Sequence, residues 1–131
     1  MERIIVTTTE KRQVVDITEE ITAIVNKQNG SSGVVSVFVS HTTAALTTAD
    51  LDPGTDHDLL DAYGAMVPEL DYLHPHDPSH VGDHIMASLI GPSVSIPFRD
   101  KALLLGAWQR VVLIDLNGPR DRVIWITIIP A

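Results

Sequence analysis

All six histidines of this 131-residue chain lie between His41 and His84, inside a stretch from Gln28 to Phe98 that contains no lysine or arginine. The same stretch holds nine of the seventeen acidic residues. Neutral imidazole is the commonest protein ligand for zinc, copper, iron and nickel, and carboxylates without nearby ammonium groups favour a cation further. His80 and His84 are four residues apart, a spacing that projects both from one face of a helix. His74 and His76 precede them in a loop-like segment, and His41 follows an apolar strand pattern. At least three of these five are expected to meet in a metal-binding or proton-handling site. His57, between Asp56 and Asp58, reads as a solvated surface residue.

Other residues around that region have types suited to an anionic ligand. Ser40, Thr42 and Thr43 flank His41 at a strand end, where hydroxyls and backbone amides could take a phosphate, although by spacing alone these threonines read as β-formers or turn residues. Asp115 ends the apolar run Val111–Ile114, and Arg120 and Arg122 follow the next turn. Asp115 reads as an ion pair, a subunit contact or a catalytic carboxylate, and either arginine could return to the same edge. Gln109 interrupts an apolar run and needs hydrogen-bond partners, which a site would supply. Its neighbour Trp108 is expected in the core or at an interface. Asp115, Arg120 and Gln109 are therefore the catalytic candidates, and Ser40, Thr42, Thr43 and Arg122 the substrate-binding ones.

Several classes are excluded. The chain has no cysteine, so thiolate metal sites, disulfides and thiol nucleophiles are ruled out. It lacks the GxxxxGK[ST], HExxH and GxSxG patterns, which disfavours a stand-alone P-loop ATPase, a zincin protease and an α/β-hydrolase. A net charge of −8 argues against nonspecific nucleic-acid binding. Met1 to Val6 passes directly into strand-like sequence without the features of a secretion signal, and no apolar run is long enough for a bilayer. A cytoplasmic location is expected, with no membrane partner.

The elements that would carry these residues follow from periodicity and punctuation. Ile4–Thr9 and Gln13–Asp16 read as strands around a charged turn. Ile17, Ile21, Ile24 and Val25 mark one helix face, capped by Asp16 or Thr18 and stopped at Asn29-Gly30. Val34–Ser40 is a strand. Asp56 and Asp58 suit the first turn of a second helix ending at Pro68, and Ser79 can cap a third running to about Leu89. Val94–Phe98, Leu103–Leu105, Arg110–Leu116 and Arg122–Ile129 complete roughly seven strands. The expectation is a single α+β domain over residues 1–131, with a largely antiparallel sheet or sandwich and two to three helices.

Four blocks in this order resemble the YjbQ family, known as secondary thiamine-phosphate synthases. They are Ser40-His41-Thr42-Thr43-Ala44-Ala45-Leu46-Thr47; His84-Ile85 with Ala87-Ser88-Leu89-Ile90-Gly91-Pro92-Ser93; Leu105-Gly106-Ala107-Trp108-Gln109; and Asn117-Gly118-Pro119-Arg120-Asp121-Arg122. The resemblance implies a homotrimer of α+β subunits with a histidine-lined metal pocket. The family's recurrent histidines match His41, His74 and His84. His80 stands where members more often carry an acidic residue, so it is a departure that could substitute as a ligand, and His76 could exchange roles with His74. Asp100-Lys101-Ala102 departs from a turn that usually contains glycine. The implied reaction joins an aminopyrimidine methyl diphosphate to a thiazole phosphate and releases pyrophosphate. A divalent ion would serve it, zinc being the first choice for a histidine site and magnesium an option with a diphosphate substrate. Arg120 or Arg122 would clamp a phosphate, and Asp115 would orient the pyrimidine amine or a ligand histidine. The alternatives are a metal-dependent hydrolase of a phosphate or amide, and a non-catalytic trimeric metal- or ligand-binding module.

Overall fold

A computed structural model of the chain describes residues 1–74 and 80–131. The elements run β1 (Glu2–Thr7), β2 (Gln13–Asp16), α1 (Thr18–Lys27), β3 (Gly33–Val39), β4 (Ala44–Ala49), α2 (Thr55–Met66), α3 (Val81–Ile90), β5 (Ser93–Arg99), β6 (Ala102–Leu103), β7 (Arg110–Asp115) and β8 (Asp121–Pro130). Every strand pair among the described residues is antiparallel. One sheet has the order β1-β8-β3-β5-β6 and the other β2-β7-β4. Among the described residues, three helices on this curled antiparallel framework make the expected α+β domain.

The apolar run of β7 has no alternation because both faces of this strand are covered. Val111 and Leu113 join the main core with Ile21 and Val25 of α1, Val35 and Val37 of β3, and Ile124 and Ile126 of β8. Val112, Ile114 and Leu116 face the other way, onto Met86 and Ala87 of α3, with Leu60 and Tyr63 of α2 beside them. Each buried side chain of this size is worth roughly 1.5–3 kcal/mol. The layering fixes α3, which carries His84, against the back of β7.

Helix boundaries follow the punctuation closely. The Asp16 carboxylate accepts the Thr18 amide at 3.0 Å and the Thr18 hydroxyl at 2.6 Å, one residue ahead of the formal cap at Ile17. Val67 lies just past α2 rather than inside it, as expected for a residue that precedes proline. The expected cap at Ser79 falls outside the described residues. Strand β4 is an addition to the expected set: Ala44–Ala49 pairs with β7 from Ala44↔Asp115 to Ala49↔Arg110.

The unusual turn at Asp100-Lys101 closes the β5–β6 hairpin with both residues left-handed, at φ 51° and 63°. This is the two-residue geometry that favours Asn-Gly. The Asp100→Asn, Lys101→Gly double variant is expected to gain about 1 kcal/mol in stability, because it relieves two strained side chains. Thermal unfolding checks this, and an unchanged or lower midpoint would refute it.

Strands β3 and β4 belong to different sheets, so residues 40–43 carry the chain from one to the other. Strands β7 and β8 do the same through residues 116–120. The two crossings lie side by side: the Leu116 amide donates to the Thr43 carbonyl at 3.0 Å, and the Ser40 amide to the Val123 carbonyl at 3.3 Å. The end of α3 meets the same seam, since the carbonyls of Pro92 and Gly91 accept the amides of Val39 (2.9 Å) and Leu46 (3.0 Å). Among the described residues, no helix is long and apolar enough to cross a membrane.

A candidate active site at the seam between the sheets

Asp115 and Arg122 lock the seam from inside. Asp115 is 0% exposed and Arg122 1%. Arg122 Nη2 donates to Asp115 Oδ1 at 2.7 Å and its Nε to Oδ2 at 3.1 Å, a fork on a carboxylate. The Thr8 hydroxyl adds a 2.6 Å bond to Oδ2, and the Asn117 amide a 3.0 Å bond to Oδ1. Burial works to raise the Asp115 pKa, but the bonds from Arg122, Thr8 and Asn117 outweigh it and hold the carboxyl below its ordinary range. Arg122 Nη2 also bonds the Thr43 hydroxyl at 2.9 Å. Asp115, Arg122 and Thr43 thus hold one another, and Asp115 lines neither of the cavities described next.

Two cavities open on the seam and share His41, Thr42 and His84. The first, about 540 Å³, is otherwise lined by Ala44, Ile85, Ala87, Ser88 and Pro92. The second, about 640 Å³, is polar and is completed by Ser40, Thr43, Asn117, Arg120, Asp121 and Arg122. His41 stands at their junction. Its Nε2 accepts the Val123 amide at 2.9 Å. Burial lowers its pKa, Arg122 and Arg120 push the same way, and Asp115 opposes them without reversing the shift. Exposed Arg120 is aimed by its Nε, which donates to the Asn117 carbonyl at 2.8 Å.

The histidines on α3 and before it are also close to this seam. The rings of His74 and His84 stack with centroids 5.1 Å apart and planes inclined by 26°. His80 Nδ1 accepts from Asn117 Nδ2 at 3.1 Å, which ties the start of α3 to the β7–β8 turn. His76 lies outside the described residues. His41 already uses Nε2 as an acceptor. Among the described residues no three His, Asp or Glu side chains are placed to hold a metal ion. The structure places His41 and His84 at one pair of cavities, His74 against His84, and His80 beside Asn117.

Gln109 lies elsewhere. Its Oε1 accepts the Gly106 amide at 3.1 Å and its Nε2 donates to the Thr48 hydroxyl at 3.0 Å, so it braces the loop before β7. Trp108, on that loop, is 75% exposed and is not a core residue. Asn117 and Asp121 line the polar cavity but were not singled out in the sequence; their membership in the Asn117–Arg122 block was the available signal. Ile85, Ala87 and Pro92 carried no chemical signal of their own.

Comparison with known proteins agrees with this architecture. Residues 2–131 match the family described as UPF0047 protein YjbQ-like. A UPF0047 protein of Mycobacterium tuberculosis is 35% identical over 116 residues, covering 87% of this chain and 86% of its own. A crystal structure of a YjbQ/UPF0047-family protein of Clostridium acetobutylicum superposes with TM-score 0.90 at 32% identity, covering 98% of this chain and 100% of that one. A YbjQ-like protein of unknown function from Sulfolobus solfataricus gives 0.92 at 30% identity, covering 99% and 96%.

Proposed function

This chain belongs to the UPF0047 protein YjbQ-like family, and on that footing we propose that it is a small-molecule enzyme acting on phosphorylated substrates at the seam. The observation that carries this reading is the pair of cavities meeting at His41 and His84, one largely apolar and one flanked by Arg120 and Arg122. A flat, weakly polar ring fits the first, and a phosphate or diphosphate fits the second, beside donors already in place. Joining an aminopyrimidine methyl diphosphate to a thiazole phosphate has this division of parts. In that reaction Arg120 and Thr42 would hold the leaving diphosphate as charge grows on it. The apolar lobe would shield the methylene from water.

The divalent ion expected from the resemblance fits better as a companion of the substrate than as a resident of the histidines. A magnesium ion entering with a diphosphate takes phosphate oxygens and water as ligands, and needs no converging imidazoles. The implied trimer has a candidate surface in the outer face of the five-stranded sheet, where Ile5, Phe38, Trp125 and Ile129 are exposed. Sedimentation should give three subunits for the native chain and fewer for Phe38→Glu. A native monomer would remove the trimer from this proposal.

Incubating the protein with the two substrates and magnesium, and following pyrophosphate release, tests the reaction. Thiamine phosphate should accumulate, and Arg120→Ala should raise KM about tenfold through loss of a charged hydrogen bond. Folded protein that forms no product with either magnesium or zinc would sink the synthase reading.

A further inference from the structure

A neutral imidazole has one proton for two nitrogens, so whatever bonds one nitrogen decides what the other offers. The partner of His41 Nε2 is the Val123 backbone N–H, at 2.9 Å. A backbone amide can only donate. Its position is also fixed, because β8 is paired on both sides, with Ile5↔Val123 on β1 and Val39↔Ile124 on β3. Nε2 must therefore hold a lone pair toward β8, which leaves the proton on Nδ1. That nitrogen makes no hydrogen bond to a described residue, while the ring itself lines both cavities.

A metal-ligating histidine has the opposite polarity. Its free nitrogen donates N–H to a carbonyl or carboxylate, and the other nitrogen gives its lone pair to the ion. His41 would have to lose its bond to Val123 to adopt that state. Arg122 and Arg120 on β8 and the preceding turn disfavour a third positive charge at the ring, while Asp115 of β7 favours one and is already neutralised by Arg122. Asp121 and His84 complete the titratable groups of the polar cavity.

We infer that His41 is a fixed hydrogen-bond donor, presenting Nδ1–H to an anionic oxygen bound in the polar cavity, and is not a ligand of a resident metal. It holds its proton rather than transferring it, since releasing that proton would leave an imidazolate. A neutral imidazole used as a donor avoids moving charge at the moment the anion forms. With Arg120 and Thr42 also lining it, the polar cavity offers donors of three different kinds. Only the identity of the anion rests on the proposed function; the polarity of the ring does not.

The test uses the full chain with isotope-labelled histidine, reading the imidazole nitrogens by NMR at neutral pH and assigning His41 with a His41→Gln variant. The expected result is a neutral ring protonated at Nδ1, whose Nδ1 resonance moves on addition of inorganic pyrophosphate. His41→Ala should weaken pyrophosphate binding about tenfold, and zinc alone should leave the wild-type ring signals in place. A proton on Nε2, a charged ring, zinc ligation at His41, or pyrophosphate that fails to bind or leaves Nδ1 unmoved would each overturn the inference. If Nδ1 responds to pyrophosphate but the pyrimidine and thiazole substrates yield no product, the donor stands and the synthase reading falls.

Discussion

Asp115→Ala is expected to lose about 3–5 kcal/mol of folding stability, the usual cost of removing one partner of a buried ion pair. A domain of this kind has roughly 5–15 kcal/mol in total, so the loss is a large share of the whole. The cost comes from what remains. Arg122 is 1% exposed, and without Asp115 its guanidinium keeps only the Thr43 bonds at 2.9 and 3.3 Å. The Asn117 amide loses its acceptor as well, and the Thr8 hydroxyl is left with the Arg120 carbonyl at 3.1 Å. Urea unfolding gives the number, and the Asp115→Ala, Arg122→Met double variant should recover much of the loss because no charge is then stranded. The acid side follows from the same network. The folded Asp115 pKa is lowered, so its contribution is present above the unfolded carboxylate value of about 3.9 and is lost as pH falls through the folded value. Wild type should therefore lose more stability than the double variant in that window. A folded Asp115→Ala protein with a native midpoint and no activity would instead mark Asp115 as a residue that acts on substrate.

That contrast shows which parts of the site could be read from the chain. Asp115, Arg120 and Arg122 are recognisable as a cluster because a carboxylate ends a strand and two arginines follow one turn later. Their division of labour is not recognisable, because it depends on depth. Arg122 points inward in the alternation of β8 with Ile124 and Ile126, whereas Arg120 precedes the strand and stays exposed. Gln109 shows the limit from the other side. Its need for partners was correct, but the partners are Gly106 and Thr48 on its own loop and the neighbouring strand, and nothing in local sequence separates a bracing amide from a catalytic one.

Elements with strong periodicity were legible, and the weakly marked ones were not. Helix α1 and strands β3, β7 and β8 follow from apolar spacing that their burial explains. Strand β4 reads Ala-Ala-Leu-Thr-Thr-Ala, with little β-branched or aromatic content in its first half. It is a strand because β7 pairs with it and because Ala44 and Leu46 fill the core beneath, a tertiary cause that overrides propensity. The histidine cluster was legible as a neighbourhood. The polarity of His41 was not, since the amide that sets it lies 82 residues away on β8.

Gly118→Ala is expected to disrupt the seam more than any other single-methyl change, although the residue lies in an ordinary-looking turn. A Cβ built there would meet the Glu10 carbonyl oxygen at 2.3 Å, the Thr8 hydroxyl at 2.8 Å and Asp115 Oδ2 at 3.0 Å. The nearest obstacle is backbone, and the other two belong to the Asp115 network, so no flexible side chain can swing aside. The Gly118 amide also donates to the Lys11 carbonyl at 2.8 Å, holding the β1–β2 loop against this turn. Overpacking at such a site costs about 1–3 kcal/mol and occasionally more, and relief requires the turn to move, which shifts Arg120 relative to His41. Gly54→Ala is the control that separates crowding from backbone strain. Gly54 has φ 91°, a conformation alanine dislikes, but an added Cβ meets nothing within 4 Å. That variant should lose only about 1 kcal/mol and bind pyrophosphate as wild type does. Gly118→Ala should lose more stability and weaken pyrophosphate binding as well. Equal losses in the two variants, with binding intact in both, would mean that the close approach at Gly118 is not what places Arg120.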